Sequence, residues 1–556
     1  MKKTIYSLLC SFLLFSCSDE KEFIKTGFNG DNHIYSFSLT STNGEKYEAD
    51  IFSDSIVITV PEGTSMKNAA VEYSISENST IQPDPNSISN WDEEHRFLLL
   101  SYSESERIYH FKLTYKASET VENVILGTQE EVDLFAYNNT VTVTGNLIIG
   151  RAGGNEVIDD LSAMSSLQIV RGDIIFLPTF QGADLNGLSN LESAGSITIT
   201  QQQNLCSVSN ISLPKLKYVH GDMRIESDKL EDLYLPELIQ VKGKIEITSS
   251  NLSYFKIDNL KYSGDILMTG TNNSGDKATL REMLFNGLEK CGDVILKNWY
   301  SLSLLDFPEL IEAGRISLYE CGYVECFKLP ELRVAGSLEM TLGWVDNTAF
   351  PGSYVPRMSE FSCPALHTVT GSMHMDAGAS YGMEYSIFLD FPSLRTIGGR
   401  LSARHELNFP ILESIGENGF DDSGIWNNYG ILHIFCGPNT DICFPRLNHV
   451  YGNVQFRNDT FDYLKTENIL CPALEAIDGS LYIGSNYRAD NIVNLDFSNL
   501  KNVDKVEISN NSQLTDFTTF RALTPDRLDD ESWVITNCGY NPSWTDMLHG
   551  NYSLNQ

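Results

Sequence analysis

The chain is poor in positive charge. Its 39 Lys and Arg stand against 74 Asp and Glu, a formal charge of −35 over 556 residues. A polyanion would be repelled over most of such a surface, so nucleic acid is excluded as a partner. Beyond residue 17 the chain also has no apolar run of the roughly 20 residues that a membrane-crossing helix needs. It contains no Walker loop, nucleophile elbow or zinc-protease motif, and no cofactor is expected. Hydrophobic residues make up 42% of the chain, so a folded protein and not a disordered one is expected.

What the sequence has in quantity is one phrase. LPELIQVKGKIEI at 235–247 returns as FPELIEAGRISL at 307–318, LPELRVAGSLEM at 329–340 and CPALEAIDGSLYI at 471–483. Glycines 221, 243, 264, 292, 314 and 336 are spaced by 22, 21, 28, 22 and 22 residues. Further copies surround Gly145, Gly172, Gly195, Gly371, Gly399, Gly452 and Gly479, and near residue 504 an Asp takes the glycine's place. After each glycine apolar residues alternate, as in Ile245/Ile247, Ile266/Met268, Ile316/Leu318 and Val506/Ile508. Period two marks a short strand with one buried face. One strand per repeat cannot bury that face alone, whereas a parallel stack of such strands can. The phrase therefore predicts one rung of a β-solenoid. The Leu and Val/Ile before the glycine form a second inward side, and the glycine permits a corner that a side chain would block.

Residues 32–117 lack the phrase. HIYSFSLTS, SIVITVPEG, AAVEYSIS, HRFLLLSYS and RIYHFKLTYK alternate between turn-rich clusters and predict a small β-sandwich. Trp91 and His95 within it read as packing and surface residues. Ahead of it, MKKTIYSLLCSFLLFSC has two lysines, an apolar stretch from Ile5 to Phe15, then Ser16 and Cys17. This reads as a secretory signal. LFSC resembles a bacterial lipobox, with a bulkier Phe15 than usual, which implies cleavage before Cys17 and its lipidation; an ordinary signal with a chance cysteine is the alternative. SDEKE, 18–22, resembles the surface-export signal of Bacteroidota lipoproteins, and the sandwich resembles their Ig-like modules. The rungs resemble leucine-rich solenoids, most closely the receptor L-domain, which implies a right-handed β-helix with covered ends. TQEEVDLFAY, 128–137, offers a capping helix through the Thr128/Glu131 spacing, and NPSWTDMLHGNYS, 541–553, a closing segment.

The expected organisation is a signal over 1–16, a lipidated Cys17 with an acidic tether to 31, an Ig-like sandwich over 32–117 and a solenoid over 118–556. Segments 118–140 and 510–556 cover the solenoid's ends. Of 11 cysteines, nine remain beyond Cys10 and Cys17, so at least one is unpaired. Cys363 and Cys471 replace a Leu or Phe of the phrase and read as small buried hydrophobes. Cys321/Cys326 and Cys436/Cys443 are close enough in sequence for pairing to stay open.

β-Solenoids include polysaccharide-active enzymes, whose carboxylates project from neighbouring rungs. Here the first outward positions run Asp222, Lys244, Asp265, Asp293, Arg315, Ser337, Ser372, Arg400, and the signs alternate as on a solvated face. Asp265 and Asp293 could form a carboxylate pair if the 270–283 insertion preserves their register. His367 and His374 lack a third metal ligand at fixed spacing, and DDSG at 421–424 lacks the rest of a calcium loop. No catalysis and no metal are expected.

The repeat lengthens between Met340 and Cys363, Met375 and Phe391, and Gly416 and Phe444, with aromatic- and glycine-rich text. Insertions in solenoids project as loops and carry binding. Trp344, Tyr354, Tyr381, Tyr385, Trp426 and Tyr429 are the candidate ligand contacts, or else they pack the loops as local minicores. The expectation is a non-catalytic lipoprotein of the outer membrane, facing the exterior. Its solenoid would bind an extracellular protein in recognition or adhesion, or alternatively a glycan for uptake.

Overall fold

The computed structural model describes residues 31–554 apart from 62–63, 117–121, 136–139, 201–206, 271–279, 344–355, 376–386, 405, 420–429, 436–440, 459–465 and 486–491. The chain divides into two compact units, 1–118 and 119–556.

In the first unit the five alternating segments are all strands. Ile34–Thr40 lies between Lys46–Glu48 and Ala70–Ile75 in an antiparallel sheet. A five-stranded sheet runs from Asp50–Ile51 to Thr80–Gln82, with Ser55–Pro61 parallel to Glu106–Lys116. Residues of both sheets share one core around Trp91. The indole meets Phe111 edge-on at 4.9 Å and Phe37 at 5.5 Å. His95 lies 5.4 Å from the indole, with Nε2 2.7 Å from the Asn90 carbonyl. Both are packing residues here.

The second unit is a parallel β-solenoid of about 14 turns. One turn shows how the phrase becomes a rung. Leu235 and Leu238 enter the core, Gln240–Val241 forms a short strand, and the chain turns a corner at Gly243. Ile245–Thr248 then forms the second side and Tyr254–Lys256 the third. Each side pairs in parallel with its counterpart one turn away, as in Ile245–Thr248 with Met223–Glu226 and Ile266–Thr269. Val241, Ile245, Ile247, Leu252 and Ile257 point inward and are fully buried. The alternation expected from sequence is therefore the alternation observed.

The corner glycines serve close approach rather than an unusual backbone angle. None of the corner glycines from Gly145 to Gly399 adopts positive φ. Instead their amides donate to the carbonyl of the corner glycine before, as in Gly195 to Gly172 at 2.9 Å, Gly243 to Gly221 at 3.0 Å, Gly264 to Gly243 at 3.0 Å and Gly314 to Gly292 at 2.9 Å. A Cβ on Gly195 or Gly264 would stand 2.4 Å from the preceding glycine's carbonyl oxygen. Where Asp504 replaces glycine, its amide still donates to Gly479 at 2.9 Å.

Inside, phenylalanines stack turn upon turn. Ring centroids of Phe285, Phe307, Phe327, Phe361, Phe391 and Phe409 follow at 4.8, 6.3, 5.0, 5.8 and 5.2 Å. Where the phrase begins with Leu329 or Cys363, the ring comes from two residues earlier, Phe327 or Phe361. Cys363 and Cys471 are wholly buried, as small hydrophobes should be. Cys321 and Cys326 are both free thiols, so that pairing does not form, while Cys436 of the other open pairing lies outside the described residues. Burial pushes the Cys321 thiol up to about 12, far from the range of a reactive thiolate.

Helices stand near both ends of the chain of turns. At the first, Gln129–Phe135 carries the expected capping box: Thr128 Oγ1 accepts from the Glu131 amide at 3.2 Å, and Glu131 Oε2 accepts from the Thr128 amide at 3.1 Å. Val132 and Phe135 join the solenoid core. At the other, Trp544–Leu548 has a Ser543/Asp546 capping box. Its buried Trp544 packs 5.4 Å from Trp533 of the last strand, Trp533–Thr536.

Gly264→Ala should destabilise the solenoid by ~3 kcal/mol, because backbone on the facing turn cannot yield as a side chain can. Gly153→Ala, with no atom within 4 Å of the new methyl, should stay within ~0.5 kcal/mol. Denaturant melts of the two variants check this, and equal losses would overturn the contact argument.

Candidate ligand-binding face

The strands that follow the corner glycines form one long sheet whose alternate side chains face outward. At the first outward position the polar residues have a structural task. Asn146 Oδ1 accepts from the Asp173 amide at 2.9 Å, and Asp173 Oδ1 from the Ser196 amide at 2.9 Å. Asp222 accepts from the Lys244 amide at 2.8 Å, Ser372 from the Arg400 amide at 3.1 Å, and Asn453 from the Ser480 amide at 2.8 Å. Each closes a backbone donor at the corner that the strand ladder leaves unpaired.

Asp265 and Asp293 are neighbours, since Ile266 and Val294 are in register across the insertion. Their carboxylates do not face each other as an acid–base pair. Asp265 Oδ1 accepts from the Asp293 amide at 3.0 Å and its other oxygen lies 3.3 Å from Lys244. Asp293 holds the Arg315 amide at 2.8 Å and the Arg315 guanidinium at 3.3 Å. Each carboxylate is engaged by a cation from an adjoining turn.

The second outward column changes character along the coil. Ile125, Ile148, Ile175 and Thr198 begin it, Arg224 and Glu246 pair at 3.6 Å, and Leu267, Ile295, Ser317 and Glu339 follow. Then come His374, Ser402, His433, Gln455, Tyr482 and Glu507 in register. His433 is new relative to the sequence reading, which treated everything between Gly416 and Phe444 as insertion. Leu432–Phe435 is a rung strand after Gly430, and the Leu432/Ile434 alternation was its signal.

Around His433 the described outward positions gather basic side chains. The described outward positions of the strands from Ser372 to Tyr482 carry no carboxylate. They carry Arg400, whose Nε donates to the Gly430 carbonyl at 2.9 Å, Arg404, which stands 4.4 Å over the Phe435 ring, and Arg457, 5.8 Å from the Tyr482 ring. His433 is buried, 3.5 Å from Ser402 Oγ. Burial first, then Arg457, Arg400, Arg404 and His374, push its pKa down to about 3. Beside this tract an open groove of ≈ 550 Å³ crosses the strands Val454–Asn458 to Trp533–Thr536. Asn453, Gln455, Arg457, Tyr482, Lys505 and Glu507 line it, and Lys505 pairs with Glu507 at 2.8 Å.

No family model matches the chain, and no curated protein matches it. The face therefore has to be read from its own chemistry.

Cys17 and all six candidate aromatics, Trp344, Tyr354, Tyr381, Tyr385, Trp426 and Tyr429, lie outside the described residues, as does DDSG. Their attachment points are described. Segments 344–355 and 376–386 follow the outward strands Val334–Thr341 and Met373–Met375, whereas 420–429 precedes the outward strand Leu432–Phe435. The first two thus join the exit ends of strands and the third an entry end. Among the described residues no group of three or more His, Cys, Asp or Glu could hold a metal. His367 and His374 fall on either side of the Gly371 corner, with His367 Nδ1 3.1 Å from Thr368 Oγ1.

A buried neutral histidine makes stability fall with acid. Below the unfolded pKa of about 6.5 the unfolded chain takes up a proton that folded His433 refuses until about pH 3. This one group should therefore remove ~1.4 kcal/mol per pH unit below 6.5. Unfolding curves between pH 7 and 5 should show a shallower loss for His433→Gln than for the wild type. Parallel curves would overturn the burial argument.

Proposed function

We propose that this is a non-catalytic surface lipoprotein, anchored to the outer membrane through Cys17, whose solenoid binds an extracellular partner. The observation that carries the reading is the outward face. Its strand carboxylates Asp265 and Asp293 hold backbone amides and cations, while an open, polar groove lies along four successive strands. Such a surface suits recognition better than proton transfer, which needs a carboxyl or imidazole placed to exchange its proton near neutral pH. The likeness of the rungs to leucine-rich and receptor L-domain solenoids, and of the first unit to Ig-like stalk modules, adds to it by analogy alone. On that analogy a protein partner comes first. Glycan capture is the second reading, favoured by the amide and hydroxyl lining of the groove.

In cells fed a labelled lipid precursor, the wild type should be marked and Cys17→Ala should not. Equal labelling of both would remove the anchor, and resistance to protease added to intact cells would remove the outward orientation. For binding, a host-protein pull-down and a glycan array with the chain from Ser18 should recover a partner. Trp344→Ala and Trp426→Ala should weaken its capture by about tenfold each, as loss of a buried aromatic anchor does. Their melting temperatures should match the wild type, and a lowered melting temperature with capture intact would assign both rings to packing.

A further inference from the structure

We propose that the groove at Tyr482 binds an uncharged oligosaccharide, with the phenol ring under one sugar and the neighbouring side chains on its hydroxyls. This rests on the glycan reading above and names both the class of glycan and the place that holds it.

The position of the ring is the first argument. Leu481 and Ile483 are buried, so Tyr482 between them points outward from its strand, Ser480–Ser485. Gln455 stands in register on one neighbouring strand and Glu507 on the other. The next outward position of the same strand is Gly484, so no side chain of that strand stands beyond the ring. Tyr482 is half-buried and lines a groove of ≈ 550 Å³, inside the ~300–1,000 Å³ range of small-molecule sites. The groove crosses four strands, a span of ~14 Å at ~4.8 Å per strand, which suits a few linked sugars.

The charges of the lining are the second, and they select against ions of either sign. Lys505 and Glu507 pair at 2.8 Å, and Arg457 lies 5.8 Å from the Tyr482 ring. An anionic ligand would meet the Glu507 carboxylate, and a cationic one would meet Lys505 and Arg457. A neutral polyol is served by both, because its hydroxyls donate to a carboxylate and accept from an ammonium or guanidinium. Gln455 adds an amide whose Oε1 receives no hydrogen bond from the protein, and Ser509 and Thr536 add hydroxyls.

The third argument separates a sugar from a peptide. Protein epitopes are held by several apolar or aromatic anchors. Among the described residues that line this groove, Tyr482 is the one aromatic. A single ring amid polar side chains matches the one apolar face that a sugar presents.

The test is calorimetric titration of the full-length protein with maltohexaose, cellohexaose, xylohexaose and mannohexaose. At least one should bind, with an affinity that added salt leaves unchanged. Polygalacturonate and poly-glutamate should bind at least about tenfold more weakly. Tyr482→Ala and Gln455→Leu should each cost about tenfold with unchanged melting, whereas Tyr482→Phe, which keeps the ring, should bind as the wild type does. Tyr319→Ala, which removes an exposed tyrosine elsewhere on the same sheet, should change nothing. Affinity that falls with salt, equal binding of polygalacturonate or poly-glutamate, or indifference to both groove variants would each overturn the proposal. If Tyr482→Ala also melts lower, Gln455→Leu decides, and undiminished binding by that variant overturns it. If none of the four sugars binds while a pull-down still recovers a protein, this proposal falls and the general binding reading stands. If no probe and no protein is bound, both fall.

Discussion

Every feature of the solenoid depends on the contact between backbones at the glycine corner. There one turn rests on the next with amide bonded to carbonyl, and a methyl group at Gly264 would stand 2.4 Å from the oxygen below. This approach holds the strands beyond the corner at pairing distance and in a single register. Because each turn touches only its neighbours, the register is inherited from one turn to the next rather than imposed by the whole. Insertions at other corners leave it intact, as the pairing of Ile266–Thr269 with Val294–Lys297 across the 270–283 segment shows.

The interior fills this frame by exchange between two adjacent positions. A phenylalanine from one of them enters the stack at each turn from Phe285 to Phe444, and the other position then carries Leu, Ile, Met or Cys. Phe361 with Cys363 and Leu389 with Phe391 are two solutions of similar volume. Volume-conserving exchange is what a close-packed core tolerates best. Cys363 follows from this as the small apolar partner of Phe361, whereas Cys471 stands beside Ile469, and burial holds both thiols protonated.

Outside, the same register lines up side chains that are far apart in sequence. Arg224 meets Glu246, Lys244 meets Asp265, and Asp293 meets Arg315 because equivalent positions of successive turns are neighbours. Exposed pairs of this kind contribute little stability each. Their main consequence is to set opposite charges side by side along this part of the face.

The sequence by itself determined the rung. Its glycine, its period-two strand, its inward Leu and Val/Ile, the Thr128/Glu131 cap and the buried Cys363 and Cys471 were all legible. Each is a local pattern whose physical meaning survives without knowledge of neighbours. The candidate site was much less so. The aromatic insertions were visible as breaks in the pattern, but their residues fall outside the described chain. The outward strand of His433 was hidden, because a long segment separates it from the Ile415 corner and its glycine follows no regular spacing. Only the tertiary structure decided that Asp265 and Asp293 close backbone amides, that Arg404, Phe435 and Arg457 belong together, and that a groove opens at Tyr482. Those facts depend on register between turns, which is a property of the stack and of no single turn.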